Sequence, residues 1–347
     1  MKSRILPALK LIVFLGIGVL FIWLFTKDLS EEQLNEIYHS FASARYGWIV
    51  LSIFIALISH VMRTLRWQML IKPLGYHTGF WNVFMSLMIG YFANLALPRL
   101  GEVTRCGFLA KYENVPFQKG FGTVVAERAF DLLTFVILFF INLFIQYEVL
   151  NHYVNEKIIT PLSEKFTFIG KGYLLYAFIA GLAILIVVFL IFRHKLDKYS
   201  LYRKIINVFK GFWDGLKSLT KLQKPGLFLL YTFMIWLMYF LMTYLCFYSI
   251  AEMSSLSMMA GFSVLVLGTI GIMVVQGGIG IYPAIVAETL VLYGAVSTKA
   301  YALGWLIWTA QTSALILAGI ASLIILPLYN KPQHVHTRAH PKKNLQS

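Results

Sequence analysis

The sequence predicts an all-α polytopic membrane protein: six full transmembrane helices and two oppositely oriented broken helical hairpins, arranged like an inverted repeat, with both termini inside. Three observations lead there. Hydrophobic residues make up 59% of the chain and charged residues 13%, against roughly 45–50% and about 25% in soluble domains. Several apolar runs reach the ~20 residues that cross a bilayer. The basic residues cluster at the ends of those runs, so the formal net charge of +15 reads as topology signal and not as a nucleic-acid surface.

Lys2 and Arg4 precede an apolar run over 6–25. The run is long and no small-residue cleavage site follows it, so it is read as a retained first span. Ser30, Glu31, Glu32 and Gln33 form a capping-box pattern ahead of Leu34, Ile37 and Phe41 at helical spacing, which predicts a short amphipathic helix on the outer surface. Residues 48–62 form the second span. Arg63, Arg66, Trp67 and Lys72 close it and are read as interface anchors.

The apolar segment 80–97 runs into Pro98, and 103–117 is too polar to face lipid. Residues 120–145 and 172–192 are further spans. The basic stretch 193–224 carries an apolar stripe of Leu201, Ile205, Val208, Phe209, Phe212, Leu216 and Leu219. It fits a helix lying on anionic lipid at the inner interface and equally a connector that obeys the charge rule. Residues 227–250 span again. Residues 257–275 lead into a glycine-rich break, 284–293 are apolar apart from Glu288, and 303–326 form the last span. The tail 330–347 is basic, Pro-interrupted and expected to be disordered. Its His334, His336 and His340 are read as solvated side chains, and no metal or cofactor is expected. Cys106 and Cys246 have no metal or redox spacing and are expected to be free thiols.

Parity then decides the topology. If 80–97 crossed fully and the chain stayed outside until Gly120, the basic stretch 193–224 would fall outside, against the charge rule. A return inward after Pro98 removes the conflict, and a return outward at 277–280 delivers the basic tail inside. Of the 30 Lys and Arg, only Lys27, Arg45, Lys157, Lys165, Lys171 and Lys299 then fall outside, while Arg99 and Arg128 lie within the membrane. The broken hairpins cover about 80–118 and 257–297. Irregular backbone at membrane depth is tolerated where protein or a wet cavity surrounds it, and helix ends freed there can offer N–H groups to an anionic head.

Intramembrane charges mark the candidate site, since each costs roughly 2.5–3.5 kcal/mol or more unless it faces a partner or a cavity. Arg99 and Arg105 suit a lipid phosphate, or else pair with Glu102 and Glu127 to hold the hairpin shut. Glu127 and Asp131 share a helix face with Arg128 beside them. They can bind a cationic head, carry a proton, or form a charge network with the hairpin arginines. Tyr91 and Phe92 are read as packing residues.

Asn94, Pro98, Arg99, Gly101, Glu102 and Arg105, then Glu127, Arg128 and Asp131, then Gly277, Gly278 and Gly280 resemble the three signatures of the lysylphosphatidylglycerol synthase transmembrane-region family, the flippase-like domain. The resemblance covers nearly the whole chain. It implies one flippase-like domain over 1–329 in a bacterial cytoplasmic membrane. It also implies translocation of a phospholipid or polyprenyl-linked lipid between leaflets, with an anionic head group as partner. The family's larger members add a soluble aminoacyl-transferase domain for which this chain has no room, so lysine transfer is not implied. Its glycine motif is commonly preceded by Pro and followed three residues on by Glu. Gln276 and Pro283 stand there instead, and Glu288 lies about a turn and a half later. Two other readings stay open. One is an integral-membrane transferase, for which the outer loops offer only Glu148, His152 and Glu156, with no nucleotide-binding motif. The other is an accessory subunit.

Overall fold

The computed structural model of the protein describes Gly16 and residues 19–97, 99–147 and 222–330. Among these residues the chain is helical throughout, with no strand. The expected span 172–192, almost all of the basic stretch, Glu148, His152, Glu156, Pro98, most of the first span and the tail beyond Asn330 lie outside the described residues. Residues 19–26 are helical.

Helix α1, Glu31–Ala42, begins as its sequence dictates. The Ser30 hydroxyl accepts from the Gln33 amide while the Gln33 side chain accepts from the Ser30 amide, and Glu31 and Glu32 meet the positive end of the dipole. It buries Ile37 and leaves Tyr38 exposed, an amphipathic helix packed on the last helix. Helix α2, Tyr46–Ile71, is longer than expected and does not stop at Arg63. Thr64, Leu65, Trp67 and Met69 to Ile71 continue an apolar pattern, so the backbone has no reason to break there.

Helices α3, Phe80–Ala96, and α4, Leu100–Glu113, form the first pair. Arg99 turns the chain between them at φ 65, a left-handed conformation uncommon for a side chain of its size. The turn is sealed internally: the Leu100 amide donates to the Leu97 carbonyl (3.2 Å) and the Gly101 amide to Asn94 Oδ1 (2.7 Å). The freed helix end therefore spends these donors on its own chain, contrary to the expectation that it offers them to a head group. Helix α5, Phe117–Ile145, and helix α6, Pro225–Leu245, are long and apolar.

Helices α7, Met258–Val274, and α8, Ile281–Val291, form the second pair. Gly277, Gly278 and Gly280 all have φ near +70, so the break between them uses backbone that only glycine adopts readily. Helix α9, Ser297–Tyr329, is the longest among the described residues, at 33 residues.

Among the described residues, four stretches are long and apolar enough to cross a membrane: Tyr46–Leu74, Phe117–Ile145, Pro225–Ser249 and Ser297–Tyr329. By contrast α3 and α7, at 17 residues each, reach about 26 Å at 1.5 Å per residue, short of a ~30 Å hydrocarbon core. The two breaks meet, because the end of α3 packs on the 276–278 turn. Helix α9 packs along both α8 and α3 and donates from Trp308 Nε1 to the Gly277 carbonyl (2.6 Å). Cys106 and Cys246 are buried free thiols.

Glycines let these helices approach. A Cβ at Gly101 would overlap the Gly90 carbonyl, one at Gly319 would overlap Phe92, and one at Gly304 would come within 2.7 Å of Pro283 Cα. Close backbone contact of this kind supplies the van der Waals packing that holds membrane helices together. Gly101→Ala and Gly319→Ala should each destabilise the protein by about 1–3 kcal/mol. Gly107→Ala, where a Cβ meets nothing within 4 Å, should be neutral or stabilising by up to about 1 kcal/mol. Thermal unfolding in detergent micelles checks all three.

Candidate functional site

Four helices converge on one buried carboxylate. Glu127 on α5 is fully buried. It accepts from Arg63 on α2 (2.9 Å), from Arg105 on α4 (3.1 Å) and, more distantly, from Arg66 on α2 (3.5 Å). One turn further along α5, Asp131 accepts from Arg63 (2.7 Å) and Arg66 (2.6 Å). The i, i+3 spacing of the arginines and the i, i+4 spacing of the acids put both sets on facing helix stripes. Helix α6 completes the ring: Arg63 donates to the Tyr239 hydroxyl (3.0 Å) and Arg66 to the Thr232 hydroxyl (3.2 Å). Arg105 lies over the Trp67 ring at 4.6 Å, and the Trp67 indole donates to Thr123 (2.9 Å). Trp67 is fully buried.

Arg63, Arg66 and Trp67 are therefore core residues and not the interface anchors expected from their place after an apolar run. Sequence position pointed them at the interface because 48–62 already resembles a span. The readable signal was the i, i+3 arginine pair inside an apolar pattern that continues to Ile71.

A smaller ion pair adjoins the cluster, where Arg128 donates to Glu102 (3.1 Å) and Asn94 reaches the same carboxylate (3.5 Å). Arg128 keeps 42% of its side chain exposed, and part of that surface faces a cavity of about 390 Å³ between the helices. The cavity wall carries Arg63, Arg128, Asp131 and Tyr239, with Trp236, Leu265 and other apolar side chains around them. Also in its wall, His60 Nδ1, the Tyr91 hydroxyl, Arg128 Nε, Trp236 Nε1 and Gln311 Nε2 are buried atoms without a hydrogen-bond partner among the described residues. Most of these are donors. Among the described charges, three guanidinium groups face two carboxylates while Arg128 and Glu102 offset each other, so the site carries an excess positive charge in a low-dielectric setting. Such an arrangement can receive an anion.

The structure thus brings together Asn94, Glu102, Arg105, Glu127, Arg128 and Asp131. It leaves Arg99 exposed at the first turn, with no ion pair among the described residues. Gly277, Gly278 and Gly280 shape the second turn and stand apart from the charges. Glu288 is exposed on α8 in a separate apolar groove with Phe21 and Leu267, so it does not join the site. His60, Tyr91, Tyr239 and Gln311 were not legible as site residues, since each sits singly in an apolar helix.

The family model for the lysylphosphatidylglycerol synthase TM region matches residues 8–329. The chain belongs to this family. It is a multi-pass membrane protein. It is 29% identical over 191 residues to a UPF0104 membrane protein of Methanocaldococcus jannaschii, covering 53% of this chain and 56% of the relative. A UPF0104 membrane protein of Methanothermobacter thermautotrophicus is 26% identical over 107 residues, 30% of this chain and 32% of the relative. Glycosyltransferase AglD of Haloferax volcanii is 25% identical over 134 residues, 38% of this chain and 21% of that protein. The chain thus spans at most about half the length of these relatives. No solved structure matches it.

The geometry separates a structural carboxylate from a cavity-facing arginine. Glu127→Gln leaves buried guanidinium groups short of a counter-charge and should cost about 3–5 kcal/mol of stability. Arg128→Gln removes one partly exposed pair whose carboxylate still accepts from Asn94, and should cost less, about 1–3 kcal/mol. Chemical denaturation of the two variants in detergent, followed by tryptophan fluorescence, measures the difference.

Proposed function

We propose that the protein is a lipid translocase, which passes the anionic head of a phospholipid or polyprenyl-linked lipid through the cavity while its chains stay in the bilayer. The observation that carries this reading is the cavity itself. Its charged wall lies at membrane depth, since Asp131 is the midpoint of the 29-residue α5, and its unpartnered donors suit phosphate oxygens.

In this reading the α3–α4 and α7–α8 pairs are re-entrant hairpins entering from opposite sides, and six crossings leave both termini in the cytoplasm. Their short helices and meeting breaks support that arrangement, as does the inward bias of Lys and Arg along the chain. The translocating unit spans 1–329, followed by a basic tail, in the cytoplasmic membrane. Arg128, Arg63, Asp131, Tyr91 and Gln311 face the head group. Glu127, Arg105, Arg66, Glu102 and Asn94 hold the wall in place, and Gly277, Gly278 and Gly280 keep the second hairpin turned. Arg99, at the exposed mouth of the first turn, is the first cation a head group meets.

The match to AglD favours a second reading, an integral-membrane transferase acting on a lipid-linked sugar. Liposomes with head-group-labelled lipids, quenched chemically from outside, decide between them. Wild type should accelerate leaflet exchange of anionic lipids above zwitterionic ones. Arg128→Gln should slow it about tenfold or more, the scale of one lost charge-assisted hydrogen bond of about 1.5–3 kcal/mol. An unchanged rate in folded Arg128→Gln would remove that residue from the pathway. No exchange of phosphatidylglycerol or polyprenyl phosphate, together with sugar transfer to the lipid, would establish the transferase.

A further inference from the structure

A second depression adjoins the cavity and lacks its charged side chains. It has a volume of about 380 Å³ between α5, α6 and α7, and its wall is almost wholly apolar, with Phe233, Met258, Met259 and Phe262 among its residues. Phe233, Met258 and Met259 are each more than half exposed. The two depressions share Trp236 and Leu265, so a cavity that carries Arg63, Arg128 and Asp131 and a groove without charged side chains meet at one wall. Trp236 is 8% exposed, and its indole N–H has no partner among the described residues. A buried donor at such a junction matches the oxygen-rich linkage between a lipid's head and its chains.

The length of the groove also fits. From Thr134 to Ile145 it follows α5 for about 16 Å at 1.5 Å per residue, close to half of a ~30 Å hydrocarbon core. It ends at Ile145, the last residue of α5, and at Met258, the first of α7, and so opens toward a single leaflet. Methionine lines that end, and its unbranched, polarisable side chain adapts to chains of differing shape.

We propose that this groove holds one hydrocarbon chain of the lipid whose head group enters the cavity, drawn from the leaflet in which α5 ends, with Trp236 at the junction of head and chain. The inference rests on the reading of the cavity as a head-group chamber. It gives the substrate two recognition elements: an anion for the chamber and at least one chain of about a leaflet's depth for the groove. A free phosphate or a head group without a chain lacks the second.

Photolabelling tests this. The full-length protein is reconstituted with phosphatidylglycerol or, separately, a polyprenyl phosphate, each carrying a diazirine near the end of one chain, and labelled peptides are mapped by mass spectrometry. With at least one probe, labelling at Phe233, Met258, Met259 and Phe262 should exceed that at Leu317 and Ile324, exposed residues of α9, by at least fivefold. Arg128→Gln should lower groove labelling at least threefold, because the head anchors the chain. Leu237→Trp, which fills the groove wall, should do the same with an unchanged unfolding temperature. Even labelling of groove and α9 with both probes would overturn the inference and leave only annular lipid. Groove labelling indifferent to Arg128→Gln would sever groove from cavity and overturn it too. Leaflet exchange is read independently: exchange without groove preference defeats this inference alone, whereas Arg128-dependent groove labelling without exchange supports the chain site and defeats the translocase.

Discussion

The fold depends on the burial of Glu127. A fully buried carboxylate is tolerable only when opposite charge and hydrogen bonds surround it, and its arginines come from two different helices, α2 and α4. Asp131 binds the same α2 arginines one turn away. Between them the two acids fix how α2, α4 and α5 sit together, while Arg63 and Arg66 tie in α6 through Tyr239 and Thr232. In a bilayer, where apolar side chains gain little by leaving lipid for protein, such polar contacts and close packing set helix arrangement. The site is thus also the keystone of this half of the molecule.

The other half is held by shape. Helix α9 lies against both helix pairs, and its glycines admit Pro283 at one level and Phe92 at another. The Trp308 bond to the Gly277 carbonyl then fixes the second break against the same helix. Charge secures the first hairpin, through Arg105 and the Asn94 bond to Gly101. The second relies on positive-φ glycines and on Tyr282, whose ring packs on Gly268. The second motif accordingly carries no charge at its turn, where Gln276 and Pro283 stand.

Much of this was legible in the chain. The capping box of α1, the α5 span, both breaks and the grouping of Glu127, Arg128 and Asp131 follow from periodicity, composition and the cost of intramembrane charge. What the sequence hid has a common cause. Arg63 and Arg66 follow an apolar run, and one-dimensional hydropathy cannot distinguish a guanidinium that reaches water from one that reaches a carboxylate 64 residues away. His60, Tyr239 and Gln311 acquire their significance only from the cavity at which their three separate helices bring them together. Glu288 erred in the opposite direction: its place after the glycine motif suggested a role, but the turn of α8 points it into another groove.

The polar groups of the site divide by what they have already spent. Glu127, Nη1 and Nη2 of Arg66 and the paired Nη1 of Arg105 are committed to neighbours, and changing them alters the scaffold. Arg128 Nε, Tyr91, His60, Trp236 and Gln311 hold unused capacity in the cavity wall. An occupant that supplies acceptors and one negative charge would relieve both the unmet donors and the excess guanidinium charge, two costs that the low-dielectric setting enlarges. Because the committed groups already fix the helices, the uncommitted ones are free to differ without disturbing the fold. In the proposed translocase, head-group selectivity would reside in the second set, with Glu127, Arg66 and Arg105 as an unchanging frame.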